Sequence, residues 1–252
     1  MQLKDKVIII TGGARGLGKA YAEAMSAEGA NIVIGDVADC SETVAAVEAA
    51  GGRIAAANLD VADMASCQAI ADLAVDKFGR IDGLVNNAAL YGNLKGGRFE
   101  TLDEGQWDAV MNVNIKGIWQ MCKAAVAPMR QAAGGSIVNI SSLAAVYGLP
   151  YGLDYAMSKA AVIGMTRSMS RELGRDLIRV NSVAPSAVKT EGTAEFMGEK
   201  LDKALQVIAS GQAIQKNLNV DDLTGTVIYL TSDASKFVTG QTLMVDGGTV
   251  LL

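Results

Sequence analysis

Tyr155 and Lys159 stand four residues apart, and Ser142 lies thirteen residues upstream of the tyrosine. A phenol is a poor base near neutral pH, its unperturbed pKa lying at roughly 10. An ammonium held beside it favours the phenolate and brings its proton within catalytic reach. On a helix, residues four apart share one face, so both side chains can enter one site. The same spacing also arises by chance on solvated helix faces. It gains weight here from a glycine-rich loop near the start of the chain.

That loop is Thr11-Gly12-Gly13-Ala14-Arg15-Gly16-Leu17-Gly18, directly after the apolar run that begins at Val7. Glycines allow a tight turn and let backbone amides approach a pyrophosphate at the positive end of a helix. Gly12, Arg15, Gly16 and Leu17 are the candidate contacts. Asp36 ends the next apolar run, about 20 residues on, where a carboxylate can hold the adenosine ribose hydroxyls. The same charge repels a 2′-phosphate, so NAD is expected over NADP. Arg15 is the counterweight, because a cation in the loop can pair with that phosphate; otherwise it contacts the pyrophosphate or packs beside the adenine.

The elements that must position these residues follow from the hydrophobic pattern. Short β-branched runs at Val7–Thr11, Asn31–Asp36, Ile54–Leu59, Gly83–Asn86, Ser136–Ser141, Arg179–Ala184 and Gln241–Val245 predict strands. Helical patterns lie between them, near 16–28, 41–50, 63–77, 105–132, 153–173 and 220–231. Such alternation predicts an α/β fold: a single Rossmann-type domain over 1–252, with a doubly wound, parallel, seven-stranded sheet covered by helices on both faces. Residues 187–218 interrupt the rhythm and include a helical stretch near Glu195–Ser210. A long connection at the carboxyl end of a strand is where a substrate lid would sit.

Composition narrows the chemistry. The chain of 252 residues is half hydrophobic and contains no histidine, which removes a histidine base and the Ser-His-Asp triad. Cys40, Cys67 and Cys122 are too scattered for a zinc site or a disulfide framework, so no metal is expected. A net charge of −5 and the lack of a basic stripe argue against a nucleic-acid partner. No stretch of about 20 residues is apolar enough to span a bilayer. The first residues read as a strand rather than a secretion signal, and a cytoplasmic protein is expected.

Taken together, these motifs resemble the short-chain dehydrogenase/reductase family, from the TGxxxGxG loop to the terminal Val245-Asp246-Gly247-Gly248. The resemblance implies that Tyr155 exchanges a proton with the substrate oxygen. Lys159 would lower the tyrosine pKa and bind the nicotinamide ribose, and Ser142 would hold the substrate oxygen. Asn114, in Asn112-Val113-Asn114-Ile115-Lys116-Gly117, would support a water relay; its other reading is to satisfy backbone groups at a helix kink. Ser141 is the alternative to Ser142, because neighbouring strand residues point oppositely; the family spacing to the tyrosine favours Ser142. Asp60 and Val61 resemble the adenine-binding pair, although Asp60 could equally cap the next helix. Asn86-Asn87-Ala88-Ala89 stands where the family usually has NNAG, leaving Asn87 and Ala88 as cofactor neighbours and implying a backbone angle at 89 that alanine tolerates. Val188 and Thr190 match the positions that hold the nicotinamide carboxamide.

Two departures bear on the substrate. Pro185-Ser186 replaces the usual Pro-Gly, and a turn beginning Gln212-Ala213-Ile214 replaces the commoner Pro- and Gly-containing one. Locally these resemble a subgroup containing 1-phenylethanol dehydrogenase, which oxidises aryl secondary alcohols. Leu90, Tyr91, Leu143, Tyr147, Tyr151, Phe196 and Met197 fall in segments expected to line the site or to form ordinary core and subunit contacts. The expected substrate is therefore a hydrophobic, aryl or cyclic secondary alcohol or its ketone. The competing readings are an NADPH-dependent carbonyl or 3-oxoacyl thioester reductase, and a non-catalytic dinucleotide-binding regulator. Apolar surface on the 105–132 and 153–173 helices, which family members use for subunit contacts, implies a homotetramer.

Overall fold

The run Val7-Ile8-Ile9-Ile10-Thr11 forms strand β1 (Val7–Thr11) and is buried along its whole length. Its side chains divide between the two faces of the sheet. Ile8 and Ile10 enter one hydrophobic core, Val7 and Ile9 the other. That division is why the sequence shows a continuous apolar run and no alternation. Each of these side chains contributes about 2 kcal/mol by leaving water.

The structure, a computed structural model, describes residues 1–251. The remaining strands are β2 (Asn31–Asp36), β3 (Arg53–Asn58), β4 (Gly83–Asn86), β5 (Gly135–Ile140), β6 (Ile178–Pro185) and β7 (Thr242–Val245). They form one sheet in the order β3-β2-β1-β4-β5-β6-β7, every pairing parallel. This is a single-domain, Rossmann-type α/β fold, as the strand-helix alternation predicts. The helices are α1 (Gly16–Ala27), α2 (Ser41–Ala49), α3 (Met64–Phe78), α4 (Glu104–Met111), α5 (Gly117–Gln131), α6 (Ala144–Tyr147), α7 (Leu153–Leu173), α8 (Glu191–Met197), α9 (Leu201–Ser210) and α10 (Asp221–Thr231). One core packs α1 and α10 on the sheet through Tyr21, Met25, Leu223, Val227 and Leu230. The other packs α3, α5 and α7 through Ile70, Met121, Met129 and Val162.

Two expected helices differ from what forms. The stretch expected at 105–132 is α4 and α5 separated by a π-helical segment, Asn112–Lys116. A π turn adds a residue to the helical repeat and reads as ordinary helix in a hydrophobicity pattern. The expected Glu195–Ser210 helix is divided into α8 and α9. Gly198 breaks it, with φ at +53° and ψ at −137°, a conformation open essentially to glycine. The base of this 187–218 connection is closed by a parallel bridge between Val188 and Leu218, and the Lys189 N–H donates to the Leu218 carbonyl at 3.0 Å.

Candidate active site

The carboxyl ends of the central strands open into a cavity of about 530 Å³. Of the residues predicted to do chemistry, Ser142, Tyr155 and Lys159 line it, together with Arg15, Gly16, Leu17, Asn87, Val188 and Thr190. Tyr155 and Lys159 project from one face of α7, one turn apart. Lys159 is buried, its Nζ donates to the Ile140 carbonyl at 2.8 Å, and it lies 5.7 Å from the Tyr155 ring centroid. Burial pushes the Lys159 ammonium down to about 8.

The surroundings of Tyr155 add other influences to the one expected from Lys159. Burial pushes the phenol above its ordinary value, and Tyr91 adds to that; only a hydrogen bond with Ser142 pulls it down. Desolvation is the largest of these influences on the phenol. The two serines divide their work. Ser141 is buried and its hydroxyl donates to the Lys159 carbonyl at 2.8 Å, tying β5 to α7. Ser142 is the one beside the phenol, and its Oγ also accepts from the Ala144 N–H at 3.1 Å.

Asn114 lies outside the cavity wall, buried in the π segment. Its Oδ1 accepts from the Leu90 N–H at 2.8 Å, and its Nδ2 donates to the Leu90 carbonyl and to Ser158 Oγ at 3.2 and 3.1 Å. Ser158 in turn donates to the Tyr155 carbonyl at 2.7 Å. The side chain thus anchors the 90-loop and α7; the backbone groups it satisfies are those of Leu90, not those of the π segment itself.

The glycines of the first loop serve three different needs. Gly12 and Gly16 have φ of +69° and +56°. A Cβ at Gly18 would sit 1.9 Å from the Gly12 carbonyl oxygen, so α1 could not close on its own loop with any larger residue. At Gly16 a Cβ would meet nothing nearer than 3.7 Å, because that residue faces the cavity. The N-cap of α1, Arg15, makes no side-chain capping bond, which leaves the first amides of the helix directed outward. A positive helix end without a cap, bordered by glycine, fits a dinucleotide pyrophosphate.

Gly12 and Ala88 lie one layer deeper than the cavity wall. Thr11 Oγ1 accepts from the Asn87 and Ala88 N–H groups at 3.0 Å each, and Asn87 Nδ2 donates to the Thr11 and Gly12 carbonyls at 3.0 Å. Ala89 has no positive φ, so alanine is tolerated there. Asp36 ends β2 beside the glycine loop: its Oδ2 accepts from the Ala14 N–H at 3.0 Å and its Oδ1 from the Ala38 N–H at 3.1 Å. Asp60 and Val61 follow β3, the neighbour of β2, outside the cavity. Asp60 does not cap α3, since Asp63 does, accepting from the Ala65 N–H at 3.0 Å. Val61 is buried, with its carbonyl accepting from Gln120 Nε2 at 2.7 Å.

Arg15 is the unexpected partner in this site. Its guanidinium pairs bidentately with Glu195 of α8, at 2.5 and 2.9 Å, so the glycine loop is joined to the 187–218 connection. Glu191 and Asp36 add negative charge around it. No local pattern signals this contact, because the partners lie 180 residues apart. The apolar wall is partly as expected: Tyr91, Leu143, Tyr147, Phe196 and Met197 line the cavity, whereas Leu90 and Tyr151 do not. Leu149, Val207 and Ile208 line it without having been singled out. Tyr91 stacks between Tyr155 and Phe196, with centroid separations of 4.9 and 4.8 Å. Among the described residues no group of His, Cys, Asp and Glu side chains could hold a metal ion, and no helix is long and apolar enough to cross a membrane.

Comparison with known proteins finds relatives over nearly the whole chain. A family model described as enoyl-(acyl carrier protein) reductase matches residues 12–250. The chain is 37% identical over 253 residues to the 3-oxoacyl-[acyl-carrier-protein] reductase FabG of Thermotoga maritima, covering 100% of both. It is 39% identical over 249 residues to a 3-alpha-(or 20-beta)-hydroxysteroid dehydrogenase of Mycobacterium tuberculosis, covering 99% of this chain and 91% of that one. A solved short-chain type dehydrogenase/reductase from Mycobacterium ulcerans superposes with a TM-score of 0.92 at 29% identity, covering 99% of this chain and 91% of the other.

Proposed function

The chain belongs to the short-chain dehydrogenase/reductase family, and from that premise we propose that it is an NAD-dependent dehydrogenase of hydrophobic, aryl or cyclic, secondary alcohols. Oxidoreduction of an alcohol or ketone with a nicotinamide cofactor is common ground; the choice of NAD and of substrate is our reading. The observation that carries it is the cavity itself. Tyr155, Lys159 and Ser142 line it together with the apolar side chains of Tyr91, Leu143, Leu149, Phe196 and Met197. Among the described residues its only cationic side chains are Arg15, paired with Glu195, and Lys159, turned to a backbone carbonyl. Apart from the amides at the start of α1, which suit the cofactor's own pyrophosphate, the lining offers no unpaired cation to a carboxylate or phosphate, which favours an uncharged substrate.

Nicotinamide, when bound, supplies or takes the hydride. The protein residues orient and move the proton. Ser142 Oγ and Tyr155 Oη are placed to hold one substrate oxygen, and protonated Tyr155 donates its proton to a ketone. In the oxidative direction Tyr155 must lose that proton, which charged Lys159 assists. Gly12, Gly16, Leu17 and the free end of α1 would hold the pyrophosphate, Asp36 the ribose, and Asp60, Val61, Asn87 and Ala88 the adenine side. Val188 and Thr190 would hold the carboxamide. Asn114, fixed between Leu90 and Ser158, would act as a positioning residue. NAD is favoured because Asp36 excludes a 2′-phosphate and Arg15 is committed to Glu195. The lid at 187–218, a cytoplasmic location and a homotetramer complete the proposal.

A 3-oxoacyl thioester reductase using NADPH is the second reading, favoured by the full-length similarity to FabG. One assay separates the two: nicotinamide absorbance with NAD and NADP against secondary alcohols and against a 3-oxoacyl thioester. Turnover of alcohols with NAD, lost by at least about 1000-fold in Tyr155→Phe while NAD binding persists, is expected. Thioester reduction with NADPH alone would replace the proposal with the second reading.

A further inference from the structure

Three short segments far apart in sequence meet beneath the lid: Pro185-Ser186 at the end of β6, Gln212-Ala213 just after α9, and Gly247-Gly248 after β7. Gln212 is 5% exposed and Ser186 7%. The Ser186 hydroxyl donates to Gln212 Oε1 at 3.3 Å, and Gln212 Nε2 donates to the Ile214 and Lys216 carbonyls at 3.0 and 2.8 Å. A Cβ at Gly247 would come within 2.8 Å of Gln212 Nε2, and one at Gly248 within 2.9 Å of the Ala213 Cβ. The two glycines are therefore the floor on which the Gln212-Ala213 turn rests. The Ile214 N–H closes the arrangement by donating to the Gly247 carbonyl at 2.8 Å. The two departures at 186 and 212, separate in sequence, are thus one hydrogen-bonded unit.

We propose that Gln212 is a positioning residue that pins the α9 arm of the lid to the sheet, so that α9 is a fixed wall setting the size of substrate accepted while α8 is the arm that opens. The two arms are held very differently. The α9 arm ends in the buried amide network and places Val207, Ile208 and Gly211 in the cavity wall. The α8 arm is held by the partly exposed Arg15–Glu195 pair, by the Phe196 stack on Tyr91 and by one buried side chain, Thr193, which bonds Thr190 and Tyr91 at the start of the arm and leaves its far end at Gly198 without a buried polar anchor among the described residues. Exposed ion pairs are weak and screened by salt, whereas a buried amide that bonds two carbonyls is costly to disrupt. Between the arms, Gly198 has nothing within 4 Å of where a Cβ would stand, which leaves the joint unobstructed.

This inference rests on the dehydrogenase reading only for its kinetic assay. Gln212→Glu keeps the shape and loses the two donors, setting carboxylate oxygens against two carbonyls. Hydrogen exchange should rise about tenfold in 201–210 and stay unchanged in 191–197 and in the sheet. The preference in kcat/KM for a bulky over a small secondary alcohol should fall about tenfold, carried by KM, with kcat and the KM for NAD nearly unmoved. Ser186→Ala, which removes only the hydroxyl, should show the same pattern to a smaller extent, and it carries the comparison if Gln212→Glu does not fold. Equal loosening of both arms, or an unchanged size preference, would overturn the inference. If the unaltered enzyme oxidises no alcohol, the substrate reading falls and the exchange comparison alone judges the pin.

Discussion

Lys159 is costly to bury as a cation, and the cost can be read from stability. Its pKa falls from 10.5 to about 8 on burial, so the folded protein binds this proton less tightly than the unfolded chain does. Between those two values the unfolded chain holds more protons, and stability from this residue rises with pH. Below about 8 the folded state carries the buried charge and the penalty is constant. The buried thiols act in the opposite sense: Cys40 and Cys67 are pushed up to about 11 and Cys122 to about 12, so each loses stability as pH rises above the ordinary thiol value. Subtracting Lys159→Met isolates the lysine. Relative to that variant, the unaltered protein should gain about 2 kcal/mol in urea unfolding between about pH 8 and pH 10. Parallel pH dependences would mean that Lys159 is not desolvated as the structure has it. The tyrosine and lysine were legible from spacing alone; the burial of Tyr155 was not, because it depends on Tyr91 and the cavity wall.

The loop between β1 and α1 carries its information in glycines, and they differ in kind. At Gly18 an added Cβ meets the Gly12 carbonyl oxygen at 1.9 Å, backbone that cannot swing away. At Gly16 the space is open and only the positive φ opposes a side chain. Gly18→Ala should lower stability by about 2 kcal/mol or more and weaken NAD binding at least about tenfold. Gly16→Ala should cost about 1 kcal/mol, the price of a left-handed alanine. Urea titration and NAD binding on both variants check the order, and equal losses would contradict it. The glycine pattern was readable, as were the strands that flank it. The break at Gly198 and the π turn at Asn112–Lys116 were not, since both keep helical hydrophobic periodicity on either side.

The surface of the whole molecule leaves Phe237 fully exposed, Phe99 74% exposed and Trp119 49% exposed. Large apolar side chains left in water favour association, and the proposed homotetramer would cover them. Light scattering at micromolar concentration should return four times the chain mass. A monomer that keeps full activity would contradict the assembly and leave the catalytic proposal standing.

The parallel α/β sheet, the glycine loop with Asp36 at the end of the second strand, and the Tyr155–Lys159 pair are all legible in the order of residues alone. Each of these rests on local chemistry or on the period of one element, which the chain expresses over a few residues. What Arg15 pairs with, which serine lies beside the phenol, and the meeting of Ser186, Gln212 and Gly247 emerge from the folded chain. Those facts depend on residues brought together across the sheet from distant parts of the chain, where hydrogen-bond geometry and burial select partners that no spacing encodes.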